Sequence, residues 1–260
     1  MSFCLLAVGS NVGERQHSID EAIVAVGRLK DTSVEARSGL HATLPIGGPA
    51  GQGEFLNGAI VVETSKSVET LHRELQSIEN LLGRERRERW SARPIDLDLL
   101  LVDDQVLETA ALKLPHPRMS FRPFVLESAV EVAGDWRHPR LGCTLDALWT
   151  QLRGGDDGLL VYGGTSTDRE WHAAQLCTHF ASWRSVEAEE GSCWLAAGDV
   201  ALSDPVSPKL AIQLCKRDEA PQPGWPTLTL PASGRESNLI EAIAAVDGIW
   251  PDLGHGEPTV

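Results

Sequence analysis

The chain has 260 residues, enough for one large domain or two small ones with a sizeable core. Hydrophobic residues make up 42% and charged residues 23%, the balance of an ordinary globular protein. The formal charge of −14 argues against nonspecific binding to nucleic acid or to an anionic membrane, because both want basic surfaces.

No apolar run reaches the ~20 residues that cross a bilayer. The opening MSFCLLAVGSNVGER has no basic leader and does not read as a signal peptide. The five cysteines are odd in number and scattered, without CxxC or Cys/His spacing. The expectation is reduced thiols in a cytoplasmic protein.

In chain order, FCLLAVGS (3–10) is a short apolar run ended by Gly-Ser-Asn, so a strand and a turn. Ile19, Ala22, Ile23, Val26 and Leu29 form a helical stripe. Residues 39–53 are rich in Gly and Pro and read as a loop. FLNGAIVVET (55–64) is a strand. VETLHRELQSIENLL (68–82) is an amphipathic helix with Leu71, Leu75, Ile78 and Leu82 on one face and Glu79 expected on the other. A basic loop (83–94) precedes the strand IDLDLLLV (95–102). A second loop (113–123) leads into the helix FVLESAVEVAG (124–134).

This order predicts an α+β sandwich with helices on a mainly antiparallel sheet, and a ferredoxin-like arrangement fits it. RGGDDG (153–158) reads as a linker. Beyond it, GLLVYGG, SCWLAAG and PKLAIQLCKR read as strands, 168–183 as a helix, and 226–250 as strand, turn and helix. Two domains are expected, at 1–153 and 159–254, the second a small α/β unit.

The strand 95–102 poses a chemical question, because aspartate is disfavoured in a buried strand. Side chains alternate faces, so Asp96 and Asp98 share one face with Cβ atoms ~7 Å apart. Two such carboxylates can share hard cations, and Arg84, Arg86, Arg87, Arg89 and Arg93 just upstream suit phosphate oxygens. A nucleoside triphosphate with Mg²⁺ matches both. The bland alternative is a half-exposed strand beside a solvated basic surface. No GxxxxGK[ST] sequence occurs, which disfavours a P-loop kinase.

Four ordered segments carry a resemblance. They are LLAVGSNVGER, TLPIGGPAGQGEFLN (43–57), IENLLGRERRERWSARPIDLDLLL (78–101) and LPHPRMSFRPFVLESAVEVAGDWRHP (114–139). Over residues 3–150 the chain resembles the 6-hydroxymethyl-7,8-dihydropterin pyrophosphokinases of folate biosynthesis. The resemblance implies transfer of pyrophosphate from ATP to the pterin hydroxymethyl group, giving AMP.

It also implies roles for residues. Asp96 and Asp98 would hold two Mg²⁺ ions between ATP and the pterin. Arg84 and Arg93 would contact the ATP phosphates. Trp90 and Arg89 would belong to a loop closing over the site. Phe55 and Phe124 would sandwich the pterin ring, Asn57 would hydrogen-bond its edge, and Thr43, Leu44, Pro45 and Ile46 would wall the pocket. Gln76, Glu79, Leu99, Leu112, Lys113 and His116 would line the ATP site, and Arg122 would lie on the substrate side.

Two departures stand out. Ser91-Ala92 replaces a common Gly-Pro, and Ala111 removes a basic side chain. The partners implied are ATP and the pterin, with no nucleic acid and no membrane.

The C-terminal unit carries no motif of its own. Two of its segments faintly resemble nucleoside kinases, but the phosphate loop is missing. It does not resemble dihydropteroate synthase or dihydroneopterin aldolase. An accessory unit, with a homodimer through it, is the expectation. His172, Cys177 and His179 do not face one another on a helix, so no metal is expected there. The rival reading for the whole chain is a noncatalytic scaffold that retains the fold.

Overall fold

The protein is described by a computed structural model over residues 1–45, 52–83, 93–180, 183–186, 192–197, 208–215, 225–231 and 235–249. The elements of its first part are β1 (Ser2–Ser10), α1 (Arg15–Gly27), β2 (Thr32–Arg37), β3 (His41–Thr43), β4 (Phe55–Thr64), α2 (Val68–Leu81), β5 (Asp96–Val102), β6 (Leu107–Glu108), β7 (Lys113–Leu114) and α3 (Pro123–Ala133). The second part holds α4 (Leu145–Gly154), β8 (Asp156–Gly163), α5 (Ser166–His179), β9 (Trp183–Val186), β10 (Ser192–Ala197), β11 (Pro208–Cys215), β12 (Thr227–Pro231) and α6 (Arg235–Ile249).

Contacts divide the chain into two units. The first comprises 1–119, 124–139 and 144–146. The second comprises 120–123, 140–143 and everything from Ala147. The division is therefore threaded rather than a single cut.

In the first unit, β2-β4-β1-β5 form an antiparallel sheet with β3 added beside β4. The period-2 alternation of each strand sorts its side chains. Cys4, Leu6 and Val8 of β1, Ile60 and Val62 of β4, and Leu97 and Leu99 of β5 meet the apolar stripes of α1 and α2 in one core. That core uses one face of the sheet. Register brings different residues to the other face: Asn57 of β4, Gly9 of β1 and Asp96 of β5 lie in one cross-strand row. The next row on that face is Ala59, Ala7 and Asp98.

Three local features differ from expectation. β2 was not anticipated, because its alternation is faint: only Val34 and Ala36 are apolar, and Ser33, Glu35 and Arg37 point to solvent at a sheet edge. Inside the expected loop at 39–53, residues 41–43 pair with β4 as β3. Residues 153–158 do not form a separate linker, since α4 runs to Gly154 and β8 begins at Asp156.

The second unit is a mixed sheet of order β12-β11-β8-β10-β9. β8, β11 and β12 are parallel, and β10 and β9 are antiparallel. The expected helix 168–183 begins two residues earlier and ends at His179 as α5, and Trp183 is the first residue of β9. Its core joins Leu159, Val161, Leu210, Ile212, Leu214, Leu228 and Leu230 to Leu176, Phe180, Ala242 and Val246 of the helices. Among the described residues, no helix is long and apolar enough to cross a membrane.

Candidate active site

The site face of the first sheet owes its shape to small residues. Ala7, Gly9 and Ala59 leave the floor low between the polar side chains of the neighbouring strands. At Gly9 the reason is specific. A Cβ there would lie 2.6 Å from Oδ1 of Asn57, so any side chain would displace that amide. Asn57 is buried, and its Nδ2 donates to Oγ1 of Thr43 at 2.8 Å. Phe55 lies two residues before Asn57 on the same face and is half-buried.

Across the row, Asp96 accepts from Arg93, whose Nη1 lies 2.9 Å from Oδ2. Both side chains are largely shielded from solvent. A shielded carboxylate needs such compensation, because its desolvation is costly. Asp98 is more open, with a side chain 40% exposed, and its Oδ2 lies 4.0 Å from Nε2 of His116. His116 is held by its own backbone, its N–H donating to the Leu100 carbonyl at 2.8 Å. The structure thus brings Asp96, Asp98, Arg93 and His116 together, with Asn57 and Thr43 along the same sheet face.

The carboxylates fit a magnesium site. They are two hard oxygen donors on one face, one of them open to solvent. Magnesium commonly takes one or two carboxylates and completes its shell with water and phosphate oxygens. Among the described residues, no group of three or more His, Cys, Asp or Glu side chains forms a protein-only cage.

Glu79 sits differently from expectation. It is only 2% exposed, on the same helix face as Leu75 and Ile78. The physical reason is plain: residues four apart on a helix share a face, so Leu75 carries Glu79 inward with it. Its Oε1 accepts from the backbone N–H of Leu97 at 2.8 Å. Leu97 lies between the two aspartates on β5, at the edge of the sheet. Glu79 therefore holds the strand that carries the acidic pair.

The remaining candidates are dispersed. Leu99 is buried in the helix-side core, and Leu112 packs at its margin. Gln76 hydrogen-bonds His72 on its own helix at 2.9 Å. Lys113 is exposed and pairs with Glu108 across the β6–β7 ladder at 3.2 Å. Leu44 is 67% exposed, and Pro45 is half-buried. Phe124 is half-buried in the first turn of α3. Arg122 falls in 120–123, which groups with the second unit, and is not assigned to this face. Ile46, Arg84, Arg86, Arg87, Arg89, Trp90, Ser91 and Ala92 lie outside the described residues.

α3 reaches this face through Glu131, which accepts from Gly39 N–H and from His41 Nε2, both at 2.6 Å. His41 pairs with Asn57 across β3 and β4, so its side chain points to the site face. The Gly39 hydrogen bond, more than the His41 contact, holds the Glu131 carboxyl below its ordinary value, although partial burial opposes it. Sequence reasoning missed this tie, and also missed Asn11, which bonds both Arg93 and Gln52. The only available signal for Asn11 was an amide at the end of an apolar strand.

Cys4, Cys143 and Cys177 are free thiols. Burial, with a smaller push from Asp103, raises the Cys4 thiol to about 12. It plays no part in chemistry at neutral pH.

These features define the first unit as a mixed α/β domain with an acidic, phosphate-compatible site on one face of an antiparallel sheet. The chain belongs to the 7,8-dihydro-6-hydroxymethylpterin-pyrophosphokinase (HPPK) family, whose model matches residues 5–134. It is 36% identical over 148 residues to the 2-amino-4-hydroxy-6-hydroxymethyldihydropteridine pyrophosphokinase of Synechocystis, spanning 57% of this chain and 75% of that protein. The Pseudomonas aeruginosa enzyme of the same name is 40% identical over 134 residues, 52% of this chain and 82% of that one. Among solved structures, wild-type Plasmodium falciparum HPPK-DHPS with pteroate overlaps at a TM-score of 0.47 and 13% identity. The overlap takes in 58% of this chain and 42% of that chain, less than half of its length.

Proposed function

We propose that this chain transfers pyrophosphate from ATP to the hydroxymethyl group of 6-hydroxymethyl-7,8-dihydropterin, using the sheet face that carries Asn57, Asp96 and Asp98. The observation that carries the assignment is the cross-strand row Asn57–Gly9–Asp96. It sets a hydrogen-bonding amide and a carboxylate on either side of a bare glycine floor. The reading agrees with family membership.

The pterin edge meets Asn57, backed by Thr43. Phe55 and Phe124 offer aromatic faces for stacking. The hydroxymethyl oxygen attacks the β-phosphorus of ATP. One O–P bond forms, the bond from the β-phosphorus to the oxygen bridging it to the α-phosphorus breaks, AMP departs, and the hydroxyl proton passes to solvent. The work of the protein is positioning and charge compensation. Asp96 and Asp98 would hold Mg²⁺, which when bound supplies neutralisation of phosphate charge. Arg93 compensates the same charge from the side. Arg84, Trp90 and Ile46 keep the roles implied by resemblance. So do Leu44, Pro45, Arg122 and the ATP-lining candidates Gln76, Leu112, Lys113 and His116, whereas Glu79 acts on the site through its bond to Leu97 and Leu99 through the core behind β5.

The order β1-α1-β2-β4-α2-β5, with β1 and β4 at the centre of the sheet, supports a ferredoxin-like first domain. The C-terminal α/β unit serves as an accessory domain and as the contact for a homodimer. Sedimentation of the full chain tests the dimer.

The decisive experiment is a turnover assay. Purified protein is incubated with ATP, Mg²⁺ and 6-hydroxymethyl-7,8-dihydropterin, and AMP is followed by chromatography. AMP that requires both pterin and metal establishes the reaction. ATP and pterin bound without turnover would point to the Ser91-Ala92 departure, and no binding of either would favour the noncatalytic scaffold.

A further inference from the structure

Arg93 is the only arginine of its basic loop among the described residues, and its guanidinium reaches Asp96. That contact cannot by itself keep Arg93 in place during turnover. In the proposed reaction, both Asp96 and the guanidinium are engaged with the phosphate-bound substrate complex. The residue must be held from behind.

Asn11 provides that hold. It is 7% exposed, one residue beyond the end of β1. Its backbone N–H donates to the Arg93 carbonyl at 3.2 Å. Its side-chain Oδ1 accepts from the Arg93 N–H at 2.7 Å. The two bonds form a closed ring that fixes the Arg93 backbone against the end of the central strand, independently of where the guanidinium points. The opposite end of the same amide, Nδ2, donates to Oε1 of Gln52 at 3.2 Å. Gln52 lies three residues before Phe55. Arg15 secures the same segment, its Nη1 donating to the Glu54 carbonyl at 2.6 Å. One buried amide therefore spans the backbone that carries the phosphate-facing arginine and the segment that leads into the pterin-facing strand. A buried amide with both ends occupied is a rigid spacer, because releasing either end leaves a shielded polar group unsatisfied.

We propose that Asn11 is a positioning residue that sets the Arg93 backbone for phosphate transfer and ties it to the pterin-side segment through Gln52. The inference deepens the pyrophosphokinase reading and rests on it for its catalytic consequence. The structural part stands alone.

Two measurements on the full-length protein test it. The first is hydrogen exchange of the Arg93 amide without substrates, which requires no activity. Protection is expected in the wild type, lost in Asn11→Ala and restored in Asn11→Asp, whose one carboxylate oxygen still accepts that N–H while the other takes a hydrogen bond from Nε2 of Gln52 once the Gln52 amide turns over. The second is the single-turnover rate of AMP formation with saturating ATP, Mg²⁺ and pterin. Asn11→Ala is expected to slow it roughly ten- to hundredfold, the cost of a small misplacement of a charge-compensating group. Asn11→Asp is expected to stay within about threefold of wild type, as the same geometric argument predicts.

Arg93 protection unchanged in Asn11→Ala overturns the proposal. So does a single-turnover rate in that variant within about threefold of wild type. Equal slowing in Asn11→Asp and Asn11→Ala also overturns it, because packing rather than the acceptor would then be the cause. If Asn11→Ala does not fold, Asn11→Ser takes its place. Its hydroxyl is too short to reach the Arg93 N–H, and the same outcomes decide. A wild type that makes no AMP sinks the reaction reading, and the exchange measurement alone then decides whether Asn11 holds Arg93.

Discussion

The two units build sheets of equal strand number to different ends. In the second unit, Leu159 and Val161 of β8, Leu210, Ile212 and Leu214 of β11, and Leu228 and Leu230 of β12 feed one core. In the first, the helix side of the sheet is just as apolar, but the other side breaks the pattern with Asn57, Asp96 and Asp98 around Gly9, Ala7 and Ala59. Chemistry collects where the alternation of a strand puts polar groups beside small residues, here with Asn57 and Ala59 buried and the Asp98 side chain 40% exposed on the edge strand. A sheet face filled with branched side chains gives stability and no room for a ligand.

The sharpest way to break this contrast is to remove one carboxylate. Asp98→Ala is expected to lower AMP formation about a thousandfold, equivalent to ~4 kcal/mol of transition-state stabilisation. Its melting temperature should stay near wild type, because the Asp98 side chain is 40% exposed. Substantial turnover in this variant would remove Asp98 from the metal site.

Ile212→Ala makes the opposite cut. Ile212 is fully buried in the second core. The truncation should destabilise that unit by about 3 kcal/mol, seen in chemical denaturation, while the AMP rate of the folded protein is kept. A parallel loss of rate would show that the second unit is not merely accessory.

Glu79→Ala is subtler. It leaves the Leu97 N–H without its acceptor in a buried setting, at a cost of about 2 kcal/mol. Glu79→Gln keeps an acceptor and should recover most of that stability. Equal losses in the two variants would mean that the charge of Glu79, and not its hydrogen bond, matters.

The smallest expected effect lies at the edge of the site. The Glu131 carboxyl is held below its ordinary 4.5 by the Gly39 N–H and by His41. A depressed carboxyl contributes stability that is present above its unfolded value and lost as pH falls through its folded value. Glu131→Gln should therefore destabilise by under about 1 kcal/mol at pH 7, discounted for solvent exposure. The difference from wild type should fade only below pH ~4, the unfolded glutamate range. A difference that persists undiminished below that range would assign the effect to packing.

Some elements were legible because a single periodicity described them. β1, β4 and β5 are apolar runs, and α2 carries Leu71, Leu75 and Ile78 at helical spacing. β2 was not legible, since an edge strand with three half-buried positions has almost no hydrophobic signature. Glu79 was misplaced because charge was given more weight than the helical period that carries it inward. The acidic pair was visible as an anomaly within β5, and its partner Arg93 as part of a basic run.

By itself the sequence determined the apolar stripes, the anomalous pair Asp96 and Asp98, and the ordered segments that mark the family. Those depend on local spacing and residue chemistry alone. Only the tertiary structure decided that Asn57, Gly9 and Asp96 share one row, that Glu79 clamps β5, and that Asn11 joins Arg93 to Gln52. Strand register and contacts between residues separated by tens of positions create those relations. They are set by which core packs best over the whole sheet, and no window of sequence contains that information.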